Sequence, residues 1–97
     1  MDSRNRITEA QQIAQSFGIV VGAASCREQV TDERINVVAV KVRQLVAAMA
    51  ADDSDADLAN QQFSAALEAG KTAVESGKID PEQAEVALNE LEQELSA

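Results

Sequence analysis

Any chemistry in this chain must run on carboxylates, lysine and one thiol, because the sequence contains no histidine, tryptophan or tyrosine. Histidine is the commonest general base and transition-metal ligand near neutral pH, so its absence removes most hydrolytic and metal-assisted routes. The thiol, Cys26, stands next to Arg27 at the end of an apolar stretch. With no histidine to take its proton, it is not a hydrolase nucleophile. It reads as a small core hydrophobe, with an intersubunit or mixed disulfide as its functional alternative, since one cysteine cannot close an internal bridge. The carboxylates at Asp52, Asp53, Asp55 and Asp57 invite a calcium loop. An EF-hand loop begun at Asp53 would need glycine where Leu58 stands and glutamate where Ser64 stands, and it fails at both. Acids at a helix start are better explained by capping and by the positive end of the helix dipole. No catalytic residue, metal ligand or cofactor is therefore assigned.

Asp53-Ser54 resembles the first two residues of the Asp-Ser-Leu signature of phosphopantetheine carrier domains, but Asp55 replaces the leucine that would pack beneath the arm. Ser54 also precedes a third helix, where that family modifies a serine opening the second. No resemblance is close enough to transfer a residue role.

The ten residues Phe17–Cys26 carry no charge. Gly18 and Gly22 stand one helical turn apart, the arrangement that lets two helix backbones approach closely. Three covers for this run are open. It is the central helix of the chain's own bundle, or the seam of a homodimer through Gly18, Val21, Gly22 and Cys26, or an export leader. On the last reading Arg4 and Arg6 precede an apolar segment ending Ala23-Ala24-Ser25-Cys26, which looks like a lipoprotein cleavage box. The protein would then be periplasmic or lipid-anchored, starting at Cys26, whereas the first two readings leave it cytoplasmic. Glu9 and the glutamines at 11, 12 and 15 interrupt a leader's apolar core. A transmembrane helix needs about 20 apolar residues, and this run is too short.

Charge is divided unevenly. Residues 1–51 hold five acids and six bases, while residues 52–97 hold twelve acids against Lys71 and Lys78 alone, and the whole chain carries −9. An acidic half repels phosphate backbones, so no nucleic-acid partner is expected, and a protein with a basic surface is its natural complement. The acids of the last helix, with Glu85 and Glu92 as interface candidates, form a solvated face, pair internally with Arg27, Arg34 and Lys41, or dock a basic partner. The three bases recur every seven residues.

The elements that must position these groups are helices. The periodicity predicts four, over about 4–26, 31–51, 55–76 and 80–96, in one domain spanning 1–97. Ile7, Ala10, Ala14, Phe17, Val21 and Ala24 share one face of the first, which at about 1.5 Å per residue runs past roughly 30 Å. Thr31 caps the second, which buries Ile35, Val38, Val42, Leu45 and Met49; a strand over Ile35–Val42 is the competing reading. The third buries Ala59, Phe63, Ala66, Leu67, Gly70, Ala73 and Val74, and Gly77 stops it. Asp80-Pro81 opens the fourth, with Ala84, Leu88, Leu91 and Leu95 along its seam. It is visibly shorter and leaves part of a neighbour uncovered. Short connections make consecutive helices antiparallel. The expected fold is all-α, an antiparallel up-down-up-down four-helix bundle, with homodimerisation through the first helix as a way to complete it. The expected function is a small acidic non-enzymatic protein acting by protein–protein interaction, as adaptor, chaperone or immunity-like partner. The alternatives are an exported envelope protein and a carrier or small-ligand-binding bundle.

Overall fold

The computed structural model describes residues 8–96. They form four helices, α1 Glu9–Ala24, α2 Asp32–Met49, α3 Asp53–Glu75 and α4 Pro81–Ser96, with no strand among the described residues. The β-branched run of Ile35–Val42 is helical, because its apolar positions continue without a break into the alanine-rich end of α2.

Each boundary follows from local chemistry. The Thr8 side chain accepts from the Gln11 amide and caps α1. The first helix thus starts several residues later than expected, and at 16 residues it is roughly 24 Å long. Residues 4–7 of the expected helix, Ile7 among them, lie outside the described residues. At its other end α1 stops at Ala24 rather than Cys26. Thr31 caps α2 as expected, accepting from the Arg34 amide. Asp52 caps α3 by accepting from the Asp55 amide at 2.8 Å, which starts that helix earlier than expected. Gly77, at φ +79°, ends α3 as a left-handed residue. The Gly77 amide donates to Val74 O and the Lys78 amide to Ala73 O, the paired bonds of a Schellman cap. Asp80 then accepts from the Glu82 amide at 2.9 Å and starts α4 behind Pro81.

α1 lies in the middle and packs against each of the other three helices, most closely against α3. The contact with α3 is backbone on backbone. A Cβ added to Gly22 would fall 2.7 Å from the Leu67 carbonyl carbon, one on Gly18 2.5 Å from the Ala66 Cβ, and one on Gly70 2.8 Å from the Ala23 nitrogen. Three of the four glycines therefore serve this single interface. Contacts advance together along both helices, from Thr8–Asp55 at one end to Gly22–Leu67 further on, so α1 and α3 run in the same direction.

The expected seams form in part: Phe17, Ile35, Leu45, Met49, Leu67, Ala73, Val74 and Leu95 are only half-buried, while Val46 and Ala23, placed on no seam, join the core. Val38, Val42 and Val46 of α2, Ala59, Phe63 and Ala66 of α3, and Ala84, Leu88 and Leu91 of α4 close around Ala10, Ala14, Val21, Ala23 and Ala24 of α1. Fully burying an aromatic or leucine side chain contributes about 1.5–3 kcal/mol, so Phe63 and Leu88 are the largest single apolar contributions. No helix among the described residues is long and apolar enough to cross a membrane.

Candidate functional site

α2 and α4 sit side by side over α1 and hardly touch through their backbones. Long side chains bridge them instead. Arg27, in the turn before α2, donates through Nε to Glu85 Oε1 at 3.0 Å, and its Nη1 lies 3.6 Å from Glu82 Oε1. Gln29 Nε2 donates to the same Glu85 oxygen at 3.1 Å. Seven residues on, Arg34 Nε donates to both Glu92 oxygens at 3.0 Å, and its Nη2 reaches Glu92 and Asn89. The two arginines and the two glutamates are each seven apart, so each arginine meets a carboxylate two helical turns beyond the last. The hydrogen bond from Arg34 holds the Glu92 carboxyl below its ordinary value against the opposing effect of burial, and the same bond raises the Arg34 guanidinium.

Glu85 and Glu92, expected as interface candidates, are thus engaged inside the chain, as the seven-residue spacing of the bases allows. The third base, Lys41, finds no glutamate. Its Nζ donates to Ser96 Oγ at 3.4 Å, because α4 ends there.

Below that point the α2–α4 seam opens. α2 continues two turns past Lys41 to Met49, while α4 stops at Ser96. The uncovered stretch is a groove of about 680 Å³ lined by Ile13 and Phe17 of α1, Lys41, Gln44, Leu45 and Met49 of α2, and Glu94 and Leu95 of α4. All five apolar side chains are only half-buried. Sequence periodicity placed Phe17, Leu45, Met49 and Leu95 in the core and did not assign Ile13. The groove arises from the register between α2 and α4, which periodicity does not contain, although the shortness of the fourth helix pointed to an uncovered neighbour.

The carboxylates at the start of α3 do not converge on a metal. Asp52 is the cap described above. Asp55, only 7% exposed, is the one buried charged residue of the described chain. It accepts from Thr8 Oγ1 at 2.8 Å, Gln11 Nε2 at 2.9 Å and the Ala51 amide at 3.1 Å, and so pins the first turn of α1 to the first turn of α3. Those bonds, the Ala51 amide first, hold its carboxyl below the ordinary value. The signals were in the sequence. Asp55 lies on the buried stripe four residues before Ala59, and Thr8-Glu9-Ala10-Gln11 has capping-box spacing. Among the described residues no group of three or more Cys, Asp or Glu side chains could hold a metal ion. Ser54 is exposed in the first turn of α3, but the neighbouring Asp55 turns inward, where a carrier domain would offer leucine.

Gly18, Val21 and Gly22 are buried within the chain, the two glycines directly against α3. Cys26 corrects the expectation of a core thiol: it is free and exposed. Because α1 ends at Ala24, Cys26 falls in the following turn, and its Sγ lies 3.8 Å from Gly22 O. Comparison of the chain with protein-family models, curated proteins and solved structures gives no match.

Proposed function

We propose that this protein is a non-enzymatic, cytoplasmic, up-down-up-down helical bundle that acts as a single copy by binding a protein with a basic surface. The observation that carries the reading is how the acids are used. Arg27 and Arg34 occupy the carboxylates of α4 that face α2, while Asp53, Asp57, Glu75, Glu90 and Glu94 have no cation partner among the described residues. Those five lie on α3 and α4, in the half of the chain where twelve acids meet two bases. Such a surface steers and holds a cationic partner, with an attraction that salt screens.

The burial of Gly18, Val21 and Gly22 supports the single-copy reading, since the two glycines of the face expected to seek a second chain lie against α3. The same packing weighs against a processed leader. Cleavage before Cys26 would remove α1, the helix that all the others contact.

The test is a pull-down from host lysate with the purified full chain, at low salt and again at about 0.5 M salt, where the Debye length is only a few ångströms. The proposal predicts a basic protein retained at low salt and released at high salt. Retention of nothing at low salt, or of a partner indifferent to salt, contradicts it.

A further inference from the structure

We infer that the groove at the open end of the α2–α4 seam receives the apolar side chains of a basic amphipathic helix. This rests on the reading of a basic partner and names the place where that partner is anchored. Ile13 and Phe17 form the floor, Leu45 and Met49 one wall and Leu95 the other, and none is fully covered. At about 680 Å³ the groove falls within the range of roughly 300–1,000 Å³ that holds ligands and anchoring side chains. The thioether of Met49 adapts to apolar groups of varied shape.

Charge decides the occupant. The groove lies where α2 and α4 end and α1 and α3 begin, so the negative ends of two helix dipoles flank it while the positive ends of the other two are already met by acids of their own first turns. Neither α2 nor α4 carries a base in its last turn to offset the negative ends. Glu94 lines the groove, and Glu9, Asp52 and Asp53 stand at the same end of the molecule, with no cation partner among the described residues. Against these four acids, Lys41 is the only base in the lining and Arg43 stands exposed on the same stretch of α2. A second copy of this chain would bring its own −9 against these groups. A fatty-acid carboxylate would gain Lys41 but meet Glu94 and both helix ends. A helix with lysines or arginines flanking its apolar stripe satisfies floor and rim together.

The probe is a synthetic Leu/Lys amphipathic helix of about 18 residues with one tryptophan, compared with a Lys/Ser peptide of equal charge. The protein has no tryptophan, so the emission reports the peptide alone. We expect the Leu/Lys peptide to bind with blue-shifted emission, and Met49→Gln or Leu95→Gln to weaken it roughly tenfold. Val86→Gln, exposed and outside the groove, should leave binding unchanged. Far-UV circular dichroism confirms that each variant is folded. Four results overturn the inference. If both peptides bind alike and the groove variants change nothing, the acidic-surface reading stands and the groove has no role. If dodecanoate binds in the groove and the Leu/Lys peptide does not, its ligand is an acyl chain. If sedimentation shows a dimer that Met49→Gln dissolves, its occupant is a second copy. Failure of both peptides to bind removes the basic-partner reading as well.

Discussion

Gly22→Ala tests the close approach of α1 and α3. In an exposed helix interior the change from glycine to alanine stabilises by about 1 kcal/mol. Here the new Cβ would lie 2.7 Å from the Leu67 carbonyl carbon and 2.8 Å from its Cα, against 3.4–4 Å for ordinary contact. The obstacle is backbone, and the Leu67 carbonyl oxygen lies closer still, so the helices themselves must separate by more than about 0.7 Å. A gap of that size forfeits about a quarter to a half of the dispersion energy of the atom pairs it parts. Overpacking of this kind costs typically about 1–3 kcal/mol and occasionally more. Gly18 and Gly70 share the interface, so a cost at the upper end is expected, about 3–4 kcal/mol gross and about 2–3 kcal/mol after the propensity gain. For a domain of this size that lowers Tm by roughly 10–20 °C. Urea and thermal unfolding followed at 222 nm measure it. Gly77→Ala is the control: nothing lies within 4 Å of its added Cβ, and its cost comes from the positive φ alone, about 1 kcal/mol. A Gly22→Ala protein as stable as the wild type, or more so, would refute the backbone contact.

Three further outcomes follow from the polar contacts. Asp55 and Glu92 are held below their ordinary values when folded, so their stabilisation is present above those values and is lost as pH falls through and below them. Asp55→Asn should therefore lower stability at neutral pH, and its deficit against the wild type should shrink in urea titrations taken below about pH 4; a deficit that does not change with pH contradicts the pin. Glu92→Gln breaks a partly exposed pair and should cost only about 0.5 kcal/mol at low salt and less at high salt, measured by the same titrations. Cys26 should react with a thiol reagent at the rate of a free thiol without unfolding, and Cys26→Ser should change stability by less than about 0.5 kcal/mol.

Helix identity and the stops around Thr31, Gly77 and Asp80-Pro81 were legible because each rests on residues within one turn of the boundary. The start of α1 was misread because apolar spacing runs back through Ile7, while the capping hydroxyl of Thr8 breaks no periodicity. Cys26 was misplaced for the same kind of reason: the apolar run continues past Ala24, but the helix does not. Gly18 and Gly22 announced a close approach without naming its partner. Gly70, which completes the contact, lies some fifty residues away on a helix whose direction and register are set only by packing. The pairing of Arg27 with Glu85 and of Arg34 with Glu92 could be anticipated from the shared seven-residue spacing. The groove below them could not, because it depends on where α4 ends relative to α2.

The central claim is that Gly18 and Gly22 of the uncharged run are covered by the chain's own α3. An isotope-filtered NOE experiment on an equal mixture of labelled and unlabelled full-length protein tests it most directly. Close contacts between Gly22 and Leu67, and between Gly18 and Ala66, should appear only within labelled chains. The same contacts appearing between labelled and unlabelled chains would show that a second copy, and not α3 of the same chain, covers the first helix.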